Sequence, residues 1–302
     1  MTEPYRGRFA PSPSGALHFG SLVAATASYL QARHRAGQWL VRIEDIDPPR
    51  EVPGAADTIL RQLDAFGFEW DGDVSYQSQH SDRYVAALEQ LQQADWLFAC
   101  ACSRKDIAKL SHTGVYPGTC RQGLPAGRHA RSWRVRIDDR VIDFTDRIQG
   151  KIRCELASQV GDFVVKRADG LFAYHLAAAV DDVHQGITEV VRGADLLDAT
   201  PQQIYLMQLL GLERPEYAHH PVVLDRQRQK FSKQHQSTPL DSTNPVPQLW
   251  QALRFLGQQP PEALADETKT AFWDWAIKHW HIDRVSRLPG IPIEEIPAAA
   301  DI

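Results

Sequence analysis

Two groups of residues, far apart in the chain, have the chemistry of a polyphosphate site. His18, Gly20 and Ser21 follow a turn rich in proline and serine, where a helix is expected to begin. A helix N-terminus favours a phosphate, and glycine allows its close approach. Lys230 and Lys233 lie in a downstream loop dense in cations, which suits it to stabilise charge on phosphates. Together the groups predict two lips of a nucleotide crevice; a plain turn and a solvated charged loop are the alternative.

A third group has the spacing of a metal site. Cys100, Cys102 and Cys120 fall within a short stretch that also contains glycine and proline. Three thiolates in one loop favour a structural zinc ion with one further ligand. From chemistry alone, His112 is the first choice for that ligand, because imidazole binds zinc more commonly than a phenol does. Reduced, partly buried cysteines without metal are the alternative, and Cys154 lies apart from the group.

Alternating strands and helices are expected to position these residues. Residues 8–10 end a short buried strand, and the prolines of the turn 11–15 continue neither strand nor helix. Apolar residues then recur at helical spacing over 19–37. Further buried strands are expected at 40–43 and at 221–225, the second directly before the cation-rich loop. The first group therefore lies in a strand, tight turn and helix.

The middle of the chain has a different pattern. Residues 133–143 are predicted to form a strand, and Asp169-Gly170 the turn of a hairpin. A core strand is expected again at 187–192. Beyond residue 240, tryptophan and leucine recur at helical spacing, which indicates a small helical region.

The composition is that of an ordinary cytoplasmic enzyme. The chain has 302 residues, 43% of them hydrophobic, enough for one large core or two linked ones. It has no basic and apolar leader and no long uncharged apolar run, so no membrane partner is expected. The net charge of -5 disfavours strong nonspecific binding of nucleic acid but permits a local basic face. Candidates for such a face, or for a plain exposed strand, are Arg128, Arg131, Arg134 and Arg136.

The two phosphate motifs, in this order, resemble those of class I aminoacyl-tRNA synthetases. His18-Phe19-Gly20-Ser21 stands where that class carries His-Ile-Gly-His, and the segment 230–234, Lys-Phe-Ser-Lys-Gln, stands for Lys-Met-Ser-Lys-Ser. Ser21 replaces the second histidine, which leaves His18 as the only imidazole of the motif. The resemblance covers about residues 6–240.

Within that class the chain resembles the glutamyl-tRNA synthetases. The carriers of this resemblance are the Pro-Ser-Pro-Ser-Gly turn at 11–15, the acidic stretch 42–47 and the run 161–200. Bacterial glutamyl enzymes carry a helical anticodon-binding region for which a chain ending at Ile302 leaves no room. The resemblance therefore implies the truncated branch, the glutamyl-queuosine tRNA(Asp) synthetases, which attach glutamate to the queuosine base in the anticodon of tRNA(Asp).

This resemblance implies a fold and a domain plan. The fold is α/β, with a Rossmann-like doubly wound parallel sheet in a catalytic domain over 1–240. A connective insertion over about 75–187 carries a zinc module at about 98–122. Residues 241–302 form a small helical domain that resembles the tRNA stem-contacting part of glutamyl enzymes, and no anticodon-binding domain is expected.

The resemblance also implies a glutamate pocket that the residue types support. Glutamate has two carboxylates and an ammonium, so its pocket needs planar cations and an anion. Arg8 and Arg192, each at a strand end, are the candidate cations, Glu44 is the candidate anion, and Tyr174 supplies a phenol. The other residues assigned to glutamate lie at the end of the first strand and in the turn after it: Phe9, Ala10, Pro11 and Ser12.

The catalytic and metal-binding residues follow from the same resemblance. His18, Lys230 and Lys233 are the expected catalytic residues. ATP, with Mg²⁺ held mainly by its phosphates, is expected to contact His18, Gly20, Ser21, Lys230, Ser232 and Lys233. In glutamyl-queuosine synthetases a tyrosine precedes the last cysteine by four positions, so the expected zinc ligands are Cys100, Cys102, Tyr116 and Cys120, with His112 in reserve.

Three functions remain open on the sequence. The first is activation of L-glutamate with ATP and its transfer to queuosine in tRNA(Asp), by a monomer. The second is a minimal glutamyl-tRNA synthetase that charges a tRNA 3′ end. The third is a catalytically silent paralogue that binds glutamate, nucleotide or RNA.

Overall fold

Strands and helices alternate along the chain, which a computed structural model describes over residues 4–225, 228 and 239–295. The strands are β1 (Arg6–Phe9), β2 (Gln38–Ile43), β3 (Ser75–Tyr76), β4 (Leu97–Cys100), β5 (Ser132–Val135), β6 (Val141–Asp146), β7 (Gly150–Glu155), β8 (Phe163–Lys166), β9 (Glu189–Gly193), β10 (Glu216–His220), β11 (Val222–Leu224) and β12 (Gly290–Pro292). The helices are α1 (Phe19–His34), α2 (Ala55–Ala65), α3 (Ser81–Gln93), α4 (Arg104–Leu110), α5 (Leu156–Gln159), α6 (Tyr174–His184), α7 (Thr200–Leu210), α8 (Pro245–Phe255) and α9 (Lys269–His279).

Parallel strands form the centre of the fold. β1 pairs in parallel with β2, and β2 with β3. The backbone N–H of Thr188 donates to the carbonyl of Arg6 at 2.9 Å, which brings β9 alongside the other edge of β1. β9 pairs in parallel with β10, and β10 with β6, whose other edge carries β7 antiparallel. The carboxyl ends of β1, β2, β9 and β10 therefore point the same way, and ligands of open α/β sheets bind at that edge.

Helices cover both faces of these strands. Val190 and Val191, which are neighbours on β9, belong to different hydrophobic clusters, as do Leu40 and Val41 on β2. Because successive side chains of a strand point to opposite faces, the two clusters lie on opposite sides of the sheet. One cluster contains side chains of α1, α2, α8 and α9, and the other contains side chains of α3, α6 and α7. The predicted doubly wound α/β fold with parallel sheets is confirmed.

A separate antiparallel sheet carries the cysteines. β4 pairs with β5, and β5 with β8. Cys100 is the last residue of β4, and Ser103 begins α4 with a capping box in which Ser103 and Asp106 exchange hydrogen bonds. The strand and the capped helix hold Cys100 and Cys102 near the turn at 116–120.

The structure corrects one predicted strand and leaves the predicted domain limits untested. The strand expected at 133–143 is interrupted: β5 ends at Val135, and Asp138 accepts a hydrogen bond of 3.1 Å from Arg140 N–H in a turn before β6. The prediction was wrong there because the carboxylate of Asp138 favours a turn over a continued ladder. The domain limits at 75, 187 and 240 stay predictions; β3, at the first limit, pairs with β2. Among the described helices, none is long and apolar enough to cross a bilayer.

Candidate active site and metal site

The turn between β1 and α1 is tied to neighbouring segments. Glu44 N–H donates to the carbonyl of Pro11 at 3.0 Å, and Val52 N–H donates to that of Pro13 at 2.9 Å. Gly15 has a φ of 131°, a conformation that glycine adopts without the strain imposed by a Cβ atom. These bonds hold the turn against the end of β2, so the two strand ends share one site.

His18 caps the first helix and thereby fixes its own tautomer. Its Nδ1 accepts a hydrogen bond of 3.3 Å from Ser21 N–H, in the first turn of α1. A backbone N–H can only donate, so in the neutral ring the proton is on Nε2. An imidazole N–H donor, Gly20 and a helix N-terminus are therefore together at the place expected for phosphate.

The second phosphate motif lies outside the described residues, which leave out Lys230, Ser232 and Lys233. Both flanks of the motif are described. β11 precedes it, and Pro239 beyond it forms an antiparallel bridge with His18. Leu240 N–H also donates to the carbonyl of Leu17 at 3.3 Å. The chain thus returns from the motif beside His18.

Two arginines at the sheet edge share one buried carboxylate. Arg8 Nε donates to Asp182 Oδ1 at 3.0 Å, and Arg42 Nη1 donates to the same oxygen at 2.8 Å. All three residues are buried. Burial raises the pKa of Asp182, but the two guanidinium groups outweigh it and lower that pKa to about 2. Asp182 is therefore a permanent anion between two cations.

Glu44 lies next to this group at the end of β2. Arg42 Nη2 donates to Glu44 Oε1 at 3.2 Å. Burial raises the pKa of Glu44 above its ordinary value, and the charges of Arg42 and Arg8 oppose that rise. A carboxylate in this place can pair with an ammonium group that enters the site.

Arg192 and Tyr174 form the other side of the group. Arg192, near the end of β9, donates from Nη1 to Tyr174 Oη at 3.2 Å. Burial raises the pKa of Tyr174, and Arg192, Glu44 and Arg8 are close enough to affect it as well. The four side chains predicted for glutamate therefore lie together at one edge of the sheet.

The turn residues predicted for glutamate are placed differently from one another. The Phe9 ring stacks on Trp39 at 6.2 Å in the core, so its side chain points away from the polar group. Ala10 and Pro11 are half-buried, and Ser12 is exposed at the start of the turn. Phe9 can therefore contact a ligand at this edge through its backbone and not through its ring.

Sequence reasoning missed the residues that hold the arginines. Asp182 and its neighbour Asp181 interrupt the apolar run of α6, and both are buried. Two acidic residues near the end of an apolar helix are a signal that could have been read, because buried carboxylates are almost always paired. His219 and Asp146, which lie behind Arg192, gave no comparable signal because each is a polar residue at or near the end of its strand.

The three predicted cysteines meet in one cluster. The Sγ atoms of Cys100, Cys102 and Cys120 all lie within 4.8 Å of one another, and the last two are 3.7 Å apart. Two sulfurs that bind one tetrahedral zinc ion at ~2.3 Å each are ~3.8 Å apart. The cluster therefore has the dimensions of a metal site.

Tyr116 supplies an oxygen to the same cluster. Its Oη lies 3.4 Å from Cys100 Sγ and 3.8 Å from Cys102 Sγ, and it accepts a 2.8 Å hydrogen bond from Cys120 N–H. His112 is exposed and is outside the group of described residues whose ligand atoms come together. The geometry favours the tyrosine as the fourth ligand.

A buried arginine stands over this cluster. Arg134 Nε donates to Cys100 Sγ at 3.3 Å, and its guanidinium lies 4.0 Å from the Tyr116 ring centroid. Burial raises the pKa of the Cys100 thiol, but hydrogen bonds from Tyr116, Cys102 N–H and Arg134 lower it overall. Burial raises the pKa of Cys102 to about 11. Arg134 therefore belongs to the cluster and not to an exposed basic face.

Comparison with known proteins gives a consistent set of relatives. The family described as tRNA synthetases class I (E and Q), catalytic domain, matches residues 5–255. A glutamyl-Q tRNA(Asp) synthetase from Dechloromonas aromatica is 57% identical over 293 residues, 95% of this chain and 97% of the relative. One from Pseudomonas aeruginosa is 49% identical over 296 residues, 98% of this chain and all of the relative.

Solved structures agree with the sequence relatives. A glutamate tRNA ligase from Elizabethkingia meningosepticum, crystallised in complex with its amino acid, superposes with a TM-score of 0.79 at 26% identity. The match covers 96% of this chain and 67% of that chain. A glutamate-tRNA synthetase from Elizabethkingia anophelis gives a TM-score of 0.80 at 25% identity.

Proposed function

The chain belongs to the class I tRNA synthetases of the E and Q type, and from this premise we propose that it activates L-glutamate with ATP and transfers it to the queuosine base of tRNA(Asp). The relatives named glutamyl-Q tRNA(Asp) synthetase support the acceptor. The glutamate tRNA ligase that shares the fold supports the amino acid.

The convergence of Arg8, Glu44, Tyr174 and Arg192 at the carboxyl edge of the sheet is the observation that carries the proposal. Cations on one side suit the two carboxylates of glutamate, and Glu44 suits its ammonium group. The site faces the turn that leads to His18, where the phosphates of ATP are expected. Glutamate and ATP would then meet at a single strand edge.

The first step is an in-line attack by the glutamate α-carboxylate on the α-phosphorus of ATP. The bond to pyrophosphate breaks, and glutamyl-adenylate remains. His18 would donate from Nε2–H to a phosphate oxygen, a direction that its cap to Ser21 favours. Lys230, Ser232 and Lys233 are proposed to stabilise the departing pyrophosphate, and Mg²⁺ would be held mainly by the phosphates. The contribution of the protein is position and charge.

The second step transfers the glutamyl group. A ring hydroxyl of queuosine attacks the carbonyl carbon of the adenylate, the hydroxyl proton leaves, and AMP departs. A tRNA substrate supports a cytoplasmic enzyme. We also propose that the protein is a monomer, and sedimentation of the purified protein tests this.

Labelled glutamate tests the function directly. We expect ATP–pyrophosphate exchange with glutamate and no tRNA, and label on total tRNA from cells that make queuosine but not from cells that lack it. Label on the 3′ end of both tRNA samples would favour a minimal glutamyl-tRNA synthetase. No exchange under any condition would favour a silent paralogue.

We also propose that Cys100, Cys102, Tyr116 and Cys120 hold one structural zinc ion. The sulfur separations and the position of the phenol oxygen support four-coordinate binding. Bound zinc would join β4 to the turn at 116–120 and stabilise a region with a small core of its own.

Metal analysis tests the zinc site. Fully reduced protein purified without chelator should contain one zinc per chain, and Cys102→Ser should lower this content. Chelation should expose 98–122 to protease before other regions. Cys154→Ser is the matched control, because Cys154 lies outside the cluster and the variant should keep its zinc. Protein without zinc would contradict the proposal.

A further inference from the structure

Arg192 is a buried cation held by uncharged groups. Only 5% of the residue is exposed, and no carboxylate of the described residues lies within 4.0 Å of its guanidinium. Its hydrogen-bond partners are His219 Nε2 at 2.9 Å, Thr200 Oγ1 at 2.8 Å, Gln203 Oε1 at 2.8 Å, Tyr174 Oη at 3.2 Å and the Leu196 carbonyl at 3.4 Å. A buried charge without a counter-ion is unfavourable until an anion enters.

The neighbouring arginines are arranged in the opposite way. Arg8 and Arg42 both donate to Asp182, and Arg42 also donates to Glu44. Each of these two guanidinium groups therefore has a carboxylate partner within the protein before any ligand binds. Among the described residues of this site, Arg192 is the arginine without a carboxylate partner, so its charge can pair with a ligand.

His219 is a neutral acceptor in this arrangement. Because Arg192 Nε can only donate, His219 Nε2 must carry a lone pair and the ring proton must be on Nδ1. That Nδ1–H donates to Asp146 Oδ2 at 2.6 Å. Burial lowers the pKa of His219 to about 4, which keeps the ring uncharged at neutral pH.

Asp146 fixes the ring from behind. Its Oδ1 accepts hydrogen bonds from the backbone N–H groups of Ile148 at 3.0 Å, Gln149 at 2.9 Å and His219 at 3.1 Å. The carboxylate is therefore held at the junction of β6 and β10. The imidazole of His219 lies between this carboxylate and Arg192 Nε.

We propose that the Asp146–His219 pair positions Arg192 and selects for an acidic substrate. The imidazole holds Nε of the guanidinium without adding a carboxylate that would compete with the ligand. This inference rests on the proposed function, because the ligand that completes Arg192 is then a carboxylate of glutamate. Glutamine would leave the buried charge unpaired and is therefore rejected.

Two variants of His219 separate charge from shape. His219→Gln places a neutral oxygen near the position of Nε2, and His219→Glu places a carboxylate there. In ATP–pyrophosphate exchange we expect the glutamate KM to rise at least ~30-fold in His219→Glu, because loss of a buried charge pairing costs several kcal/mol. The glutamate KM of His219→Gln should stay within ~5-fold of wild type, and the ATP KM should be unchanged in both variants.

If His219→Glu does not fold, a second variant tests the same inference. Gln203→Glu changes only charge and keeps the shape of a side chain that already contacts Arg192 Nη2. It should also raise the glutamate KM and reduce the preference for glutamate over glutamine by ~10-fold or more. If both Glu variants keep wild-type glutamate KM and selectivity, or if His219→Gln is as impaired as His219→Glu, the inference is wrong.

The two levels of proposal fail in different ways. A wild-type protein without exchange activity would overturn the proposed function. The inference is then measured by calorimetric titration of glutamate into wild type, His219→Gln and Gln203→Glu. Binding that is weakened in Gln203→Glu alone would support it, and equal binding in all three proteins would overturn it.

Discussion

The pocket at the sheet edge joins residues that are far apart in the sequence, whereas the cysteine cluster joins residues that are close together. Arg8 and Asp182, which pair in the pocket, are 174 positions apart. The cysteine cluster closes over 18 positions between Cys102 and Cys120, and Arg134 completes it from the next strand. The pocket depends on the whole fold, whereas the cluster depends on one strand, one capped helix and one turn.

Because of this difference, we expect substitutions in the two regions to affect the protein differently. Loss of a charge in the pocket leaves a buried partner that belongs to a distant element, so its effect should spread through the core. The effect of a change in the cluster should remain within the antiparallel sheet and the proposed metal site. Three measurements test this contrast.

The largest effect is expected from Asp182→Ala. It leaves the buried guanidinium groups of Arg8 and Arg42 without their shared anion, and such a loss costs about 3–5 kcal/mol of unfolding free energy. Urea unfolding measures it. Asp143→Ala, which removes an exposed carboxylate paired with Arg153, is the control and should cost less than about 1 kcal/mol. Equal effects would contradict the contrast.

An intermediate loss of unfolding free energy is expected when the pH is lowered. Burial lowers the pKa of His175 and of His219 from 6.5 to about 4. Between these pH values the unfolded chain binds protons that the folded chain does not, so stability falls as the pH is lowered through that window. From pH 7 to pH 5 the loss should be on the order of 3 kcal/mol for the two residues together.

Urea unfolding at several pH values measures this loss. His219→Gln should remove about half of it. A variant of the cysteine cluster should keep the full pH dependence, because the described ligand group there contains no histidine. A flat profile in the wild-type protein would show that neither imidazole is held neutral by burial.

The smallest effect is expected from Arg134→Met. It removes hydrogen bonds to Cys100 Sγ and to the Asp162 carbonyl, and a contact with the Tyr116 ring, for about 2 kcal/mol. Chelator competition should show weaker metal binding, and exchange with glutamate should keep its KM. Arg131→Met, on an exposed neighbour, should change neither quantity.

The same contrast explains what the sequence could predict. The cysteine spacing was readable because all its members lie on adjacent local elements. Arg8, Glu44 and Arg192 were predictable as strand-end residues of a known pattern. The partners of Asp182 and His219 were not predictable, because only the packing of α6 and β10 against other strands shows which side chains they meet; for Asp182 the sequence signals burial alone.

A local pattern also misled in one place. Arg134 looked like part of a basic face because strand alternation does not show which face is covered by another sheet element. Phe9 stays a predicted contact of glutamate through its backbone, because its ring, at the last position of β1, lies in the core. The periodicity of a sequence predicts a helix or a strand, whereas tertiary packing determines what each of its side chains contacts.

The contact of α1 with the C-terminal helices has a consequence for the order of folding. Gln31 Oε1 accepts a 2.8 Å hydrogen bond from Trp280 Nε1, a partner 249 positions away, and α8 and α9 share a core with α1. During synthesis the apolar side of α1 must wait for these helices, because Trp280 leaves the ribosome 249 residues after Gln31. The helix that presents His18 is therefore made well before it can be fully packed.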